Sequence, residues 1–199
     1  MKSIMKNIVK LLSLGLLLGF ASCSDSEALI DQVYDSVDSE TGVIIRTVDG
    51  PQDLVSLNNP ANNVIMMTWE VQEGNGAHIP DFKEVRAYVR LYADQDLTEP
   101  ITADDGSDIA EGLLETFDAS TFEISSNGLP RRDVEISTQG IVDLYTNATL
   151  TPPTFISLRL EIEMTDGRVY TSTSGIGATV SGGIYFNSPY VYRIIFLPI

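Results

Sequence analysis

The sequence predicts an all-β fold, an antiparallel β-sandwich of immunoglobulin-like topology, following a cleaved leader. Three observations carry that expectation. From Gly42 onward, short apolar or alternating runs recur, with Gly, Pro, Asn and Asp turn signals about every ten residues. No segment sustains helical periodicity over several turns. Strands never alternate with helices in the βαβ manner that builds a parallel sheet. A small barrel is the alternative for a chain of this size.

The leader comes first. Lys2, Lys6 and Lys10 form a positive n-region, and Ile8–Leu18 is an apolar core interrupted only by Lys10, Ser13 and Gly15. Phe20-Ala21-Ser22 places small residues at the expected cleavage point before Cys23, the only cysteine. The core is too short to span a bilayer, which takes roughly 20 apolar residues. The reading is residues 1–22 as signal peptide, 23–41 as an acidic tether and 42–199 as the sandwich. A lone cysteine allows no internal disulfide and no thiolate metal cluster.

Charge narrows the partners. The chain holds 28 acidic and 12 basic residues. Three of the lysines lie in the leader, so the chain from Cys23 carries 12 − 3 = 9 basic residues and a net charge of 9 − 28 = −19. Such a surface repels nucleic acid and anionic lipid head groups. Ser24–Glu40 alternates acids with small polar residues and reads as a solvated tether. The helix-like spacing of Leu29, Ile30, Val33, Tyr34 and Val37 leaves a short packed element as the alternative.

The strands follow in order. Val43–Val48 ends at the turn Asp49-Gly50-Pro51. Asn62–Val71 alternates little, as a strand covered on both faces does, and Trp69 within it is expected in the core. Gln72–Asp81 is loop-like and holds His78, the only histidine. Without converging partners it is a solvated loop residue rather than a metal ligand. In Lys83–Ala93, Val85, Ala87, Val89 and Leu91 alternate with Arg86, Tyr88, Arg90 and Tyr92. One face is therefore core, and the other is an arginine–tyrosine row, read first as a solvated face with cross-strand pairs.

Asp94–Glu115 is densely acidic. It is not an EF-hand, since Glu99 stands where the glycine belongs if Asp94 is the first ligand. Asp104, Asp105 and Asp108 are the candidate cluster for one hydrated Ca2+, and a charged surface loop is the favoured reading. Ile109–Phe117 is expected as a short helix and Ala119–Ser125 as a strand. Asn127-Gly128-Leu129-Pro130 is a sharp turn before a strand at Arg132–Thr138, and Ile141–Tyr145 makes a helical turn. Thr154–Thr165 alternates well. Asp166-Gly167 then predicts a type I′ hairpin with Met164 opposite Val169, Ile162 opposite Thr171 and Leu160 opposite Thr173. Ser174–Gly183 reads as a loop or bulged strand, and Tyr190–Leu197 as a central strand apolar on both sides.

Several of these stretches carry a resemblance. Phe20-Ala21-Ser22-Cys23 resembles the bacterial lipobox, which implies lipidation of the Cys23 thiol and a membrane anchor. Each buried methylene of such an anchor contributes about 0.8 kcal/mol. Ser24, Asp25, Ser26 and Glu27 resemble the acidic signal that sends Bacteroidetes lipoproteins to the outer face of the outer membrane. Asp35-Ser36-Val37 resembles an O-glycosylation motif of the same bacteria. Gly42–Thr47, Asn127–Arg131, Thr165–Arg168 and Gly182–Tyr192 occur in the order seen in flavobacterial lipoproteins of SusC/SusD-like uptake systems. The resemblance implies an accessory surface lipoprotein beside a TonB-dependent transporter, nearest to SusE/SusF-type proteins. Their tandem starch-binding modules have no counterpart in the single domain read here.

No G-x-S-x-G, H-E-x-x-H or phosphate loop is present, and Gly175-Ile176-Gly177 does not continue as a dinucleotide fingerprint. The expected function is therefore a non-catalytic one, binding a glycan or peptide. Arg86, Tyr88, Arg90, Tyr92, Tyr170 and Tyr185 are the candidate contacts, because aromatic faces stack on sugars and arginines bond their hydroxyls. The alternatives are a structural subunit without its own ligand, and a hydrolase using a carboxylate pair.

Overall fold

The structure is a computed structural model in which residues 42–73, 80–173 and 190–198 are described. The leader, Cys23, the segment Ser24–Glu27 and the rest of the tether lie outside the described residues, as do His78, the 174–183 stretch and Tyr185.

Two sheets pack face to face. The first runs β1 (Val43–Asp49), β3 (Val64–Glu73), β7 (Pro130–Ser137) and β6 (Glu123–Ile124), all antiparallel. The second runs β2 (Leu54–Ser56), β10 (Val191–Leu197), β8 (Thr154–Met164), β4 (Phe82–Tyr92) and β5 (Gly112–Asp118). β9 (Val169–Tyr170) pairs with β8 beyond the end of β10, and only β2 on β10 is parallel. One short helix, α1 (Thr138–Asp143), follows β7, with Ser137 as its N-cap accepting from the Gly140 amide. Among the described residues, no helix is long and apolar enough to cross a membrane.

Side-chain alternation explains the layers. Val85, Ala87, Val89 and Leu91 of β4 are fully buried, as are Ile156, Leu158, Leu160 and Ile162 of β8. They face Ile65, Met67, Trp69 and Val71 of β3 and Val134 and Ile136 of β7. Trp69 lies in this core as expected, and its ring meets Phe117 edge-on at 5.3 Å. Two hydroxyls stitch one sheet to the other. Tyr192 Oη lies 2.7 Å from Thr47 Oγ1, and Tyr190 donates to the Val43 carbonyl.

β3 is covered on both faces over only part of its length. Val64 and Met66 are exposed on the outer side, whereas Thr68 and Glu70 on that same side are buried. Glu70 sits beneath the 125–129 turn, where Asn127 Nδ2 donates to it at 2.9 Å and Arg46 pairs with it at 2.5 Å. Arg46 itself is about half exposed.

Three expectations need correction. Residues 112–118 form strand β5 instead of a helix. A bulge sets Ala87 against Glu115 and Tyr88 against Leu113, so Leu114 is the extra residue and the two-residue alternation is interrupted. Only Glu123–Ile124 of the 119–125 stretch is strand. Ala119–Thr121 is a 3-10 turn in which the Asp118 carboxylate accepts from the Ser120 amide. The hairpin register is shifted by one residue: Glu163 opposes Val169 and Ile162 opposes Tyr170. Gly167 N–H donates to Met164 C=O, and Met164 N–H donates to Arg168 C=O. Gly167 has positive φ (88°) and Asp166 does not. That is a three-residue loop, a turn closed by a left-handed glycine, in place of the two-residue type I′ turn.

Candidate binding face

The outer side of the second sheet carries the residues singled out in β4. Strand register arranges them in rows across the sheet. Arg86 stands opposite Glu161, and Tyr88 opposite Arg159, which in turn opposes Val191. Arg90 stands opposite Ser157 and then Arg193. Tyr92 stands opposite Phe155, then Ile195, then Leu54.

The half nearer the start of β4 is an ionic lattice. Arg86 pairs with Glu84 at 2.9 Å, with Glu161 at 3.6 Å and with Glu163. Lys83 reaches Glu163 at 2.8 Å and holds its carboxyl below the usual range. Arg159 donates to both oxygens of Glu111 and to Glu161 at 2.7 Å; the Glu111 bonds raise its already high pKa further. Its guanidinium lies 4.6 Å from the centre of the Tyr88 ring. That ring face is thereby covered, and Arg86 donates toward its hydroxyl. Arg86 and Tyr88 thus form cross-strand pairs rather than an open platform.

The other half is apolar and more open. Tyr92, Phe155 and Ile195 are half-buried on the outer side, and Leu54 is 48% exposed. Two arginines border the row. Arg90 pairs with Asp108 at 2.7 Å, while Arg193 is exposed and makes no ion pair among the described residues. Such a strip, aromatic at Tyr92 and Phe155, aliphatic at Ile195 and Leu54 and cationic beside it, suits the flat apolar face and hydroxyl rim of a sugar, or an extended peptide. Phe155, Ile195, Leu54 and Arg193 were not singled out from sequence. The signal was present: Phe155 is an apolar residue at an outward position of a strand whose other outward positions are Ser157, Arg159, Glu161 and Glu163.

The remaining candidates do not join this face. Tyr170 is buried on the inner side, a correction that follows from the shifted hairpin, and its ring carries Arg168. Asp104, Asp105 and Asp108 do not converge on a cation. Asp104 accepts from the Thr149 amide, Asp105 from the Ser107 amide and hydroxyl, and Asp108 binds Arg90. No group of three such ligands able to hold a metal ion is found among the described residues.

No family model matches the chain, and no curated protein or solved structure matches it.

Proposed function

We propose that the chain is a lipoprotein anchored through Cys23 at the outer membrane and exposed at the cell surface. There it serves as an accessory binding subunit of a SusC/SusD-like nutrient-uptake system. The row Tyr92–Phe155–Ile195 beside Arg90 and Arg193 is the observation that most supports a ligand, either a glycan or a peptide. The reading is non-catalytic, because Glu111, Glu161 and Glu163 are each neutralised by a paired arginine or lysine. The strand order supports the immunoglobulin-like topology: β1-β3-β7-β6 facing β2-β10-β8-β4-β5 follows the connectivity of an ABED sheet against an extended GFC sheet. A structural subunit with no ligand of its own is favoured by the ionic lattice, which satisfies half the face internally.

The test is binding to a panel of glycans and peptides. Tyr92→Ala and Phe155→Ala should each weaken retained ligands about tenfold or more, given the usual contribution of an aromatic contact. Tyr88→Ala should change binding far less. Equal losses from Tyr88→Ala and Tyr92→Ala would remove the strip as the site. Absence of any ligand, with co-purification of a transporter, would favour the structural reading.

A further inference from the structure

Among the described residues, one edge of the first sheet carries an open hydrogen-bonding ladder. β6 pairs with β7 only at Arg131 and Pro130, while β7 continues to Ser137 against β3. Two bonds fix which way the backbone of β7 points. The Leu129 carbonyl accepts from the Ser125 amide on the β6 side, and the Thr138 amide donates to the Asn63 carbonyl on the β3 side. Amide groups alternate sides along a paired strand. Asp133 and Glu135 therefore direct N–H and C=O away from β3, and among the described residues no strand pairs with them.

A groove of about 520 Å3 adjoins this edge, with the exposed Met66 and the buried Met67, Phe117 and Val134 as its apolar lining. Its charged lining is four carboxylates, Asp49, Glu115, Asp133 and Glu135, against the single guanidinium of Arg132. Arg132 is itself stacked 4.9 Å from the centre of the Phe117 ring. Open edges are templates for strand addition, and natural sheets guard them with charge. Here the charge is net negative, four carboxylates to one guanidinium, so it also selects. A second copy of this chain would set Asp133 and Glu135 against their equivalents, which like-charge repulsion opposes.

We propose that the β7 edge accepts an extended cationic polypeptide segment as an added strand. Its lysines or arginines, at alternate positions, lie beside Asp133 and Glu135, and the apolar residues between them enter the groove. This surface lies at the β7 edge of the first sheet, with Glu115 and Phe117 contributed by β5 of the second, and it shares no residue with the Tyr92–Phe155 strip.

The test is fluorescence anisotropy of the full chain with an alternating lysine–valine peptide of about seven residues. Controls are the glutamate–valine peptide and a lysine–valine peptide N-methylated at alternate amides. The expected result is saturable binding of the first peptide, at least about tenfold weaker for the N-methylated one and absent for the glutamate one. Glu135→Pro removes the outward amide without touching the β3 ladder and should give a loss of the same size. Should that variant fail to fold, judged by circular dichroism, the N-methylated peptide tests the same bonds on the unaltered protein. No binding, equal binding of the glutamate peptide, or indifference to N-methylation would each overturn the proposal.

Discussion

Glu70 shows how a charged residue in an apolar strand is accommodated. Its side chain is fully buried; Arg46 is its counter-charge, and Asn127 and the Ser125 hydroxyl donate to it. A buried carboxylate without a counter-charge is costly, whereas an exposed arginine without its acid simply rehydrates. The two partners should thus respond unequally to mutation. Arg46→Ala leaves the acid stranded and should cost on the order of 2–3 kcal/mol, a figure reduced for the exposure of Arg46. Glu70→Gln removes the charge, keeps an acceptor for Asn127 and should cost about 1 kcal/mol. Urea denaturation of both variants checks the order, and equal losses would mean that Arg46 does not neutralise a buried charge. The sequence marked Asn127-Gly128 as a turn from its own chemistry. That the turn covers Glu70 was not legible, because the two are 57 residues apart and nothing local links them.

At the scale of elements, the β8–β9 hairpin depends on one backbone conformation. Gly167 has φ of 88°, and a side chain there would meet only open space. Gly167→Ala should therefore cost about 1 kcal/mol from conformation alone, with Gly167→Asn recovering part of it, since asparagine tolerates the left-handed region. Thermal melting separates the two, and an alanine variant as stable as the parent would contradict the loop geometry. Long strands were legible here because alternation is a strong local signal. β4 and β8 match their expected spans to within a residue or two and bury the expected residues. β5 was not legible, since its bulge at Leu114 breaks the two-residue alternation by which a strand is read. The hairpin was half legible: Asp166-Gly167 marks the turn, but Thr165 joins the loop and moves the register, which sent Tyr170 inward. On the candidate face, the arginine–tyrosine row could be read from β4 alone. Phe155 and Ile195 become its neighbours only once β8 and β10 are aligned.

At the scale of the whole molecule, surface carboxylates and buried phenols set opposite pH limits. Asp105, held by the Ser107 hydroxyl, Asp118, held by the Ser120 hydroxyl, and Asp166, held by the Arg168 amide, all lie below the usual carboxylate range. Groups depressed in this way stabilise the fold above their unfolded values, near 4, and that contribution is lost as pH falls through the folded values. At the alkaline end, burial pushes Tyr192 up to about 12 and raises Tyr190 as well, against an unfolded value of about 10. A raised phenol stabilises the fold below about pH 10, and the contribution fades as pH rises toward the folded value. The urea midpoint should be level between about pH 5 and 9 and fall on both sides. Phenolate absorbance should show Tyr190 and Tyr192 ionising only together with unfolding; their ionisation in the intact fold at pH 10 would refute their burial. The same two tyrosines have a mechanical consequence. Val43 is where the chain enters the sandwich, and its carbonyl is gripped by Tyr190, while Thr47, four residues on, is gripped by Tyr192. A pull on the chain ahead of Val43 therefore cannot peel β1 from β3 alone. It must also break the hold of β10 on the opposite sheet, so the load is shared between both layers from the first residue of the fold.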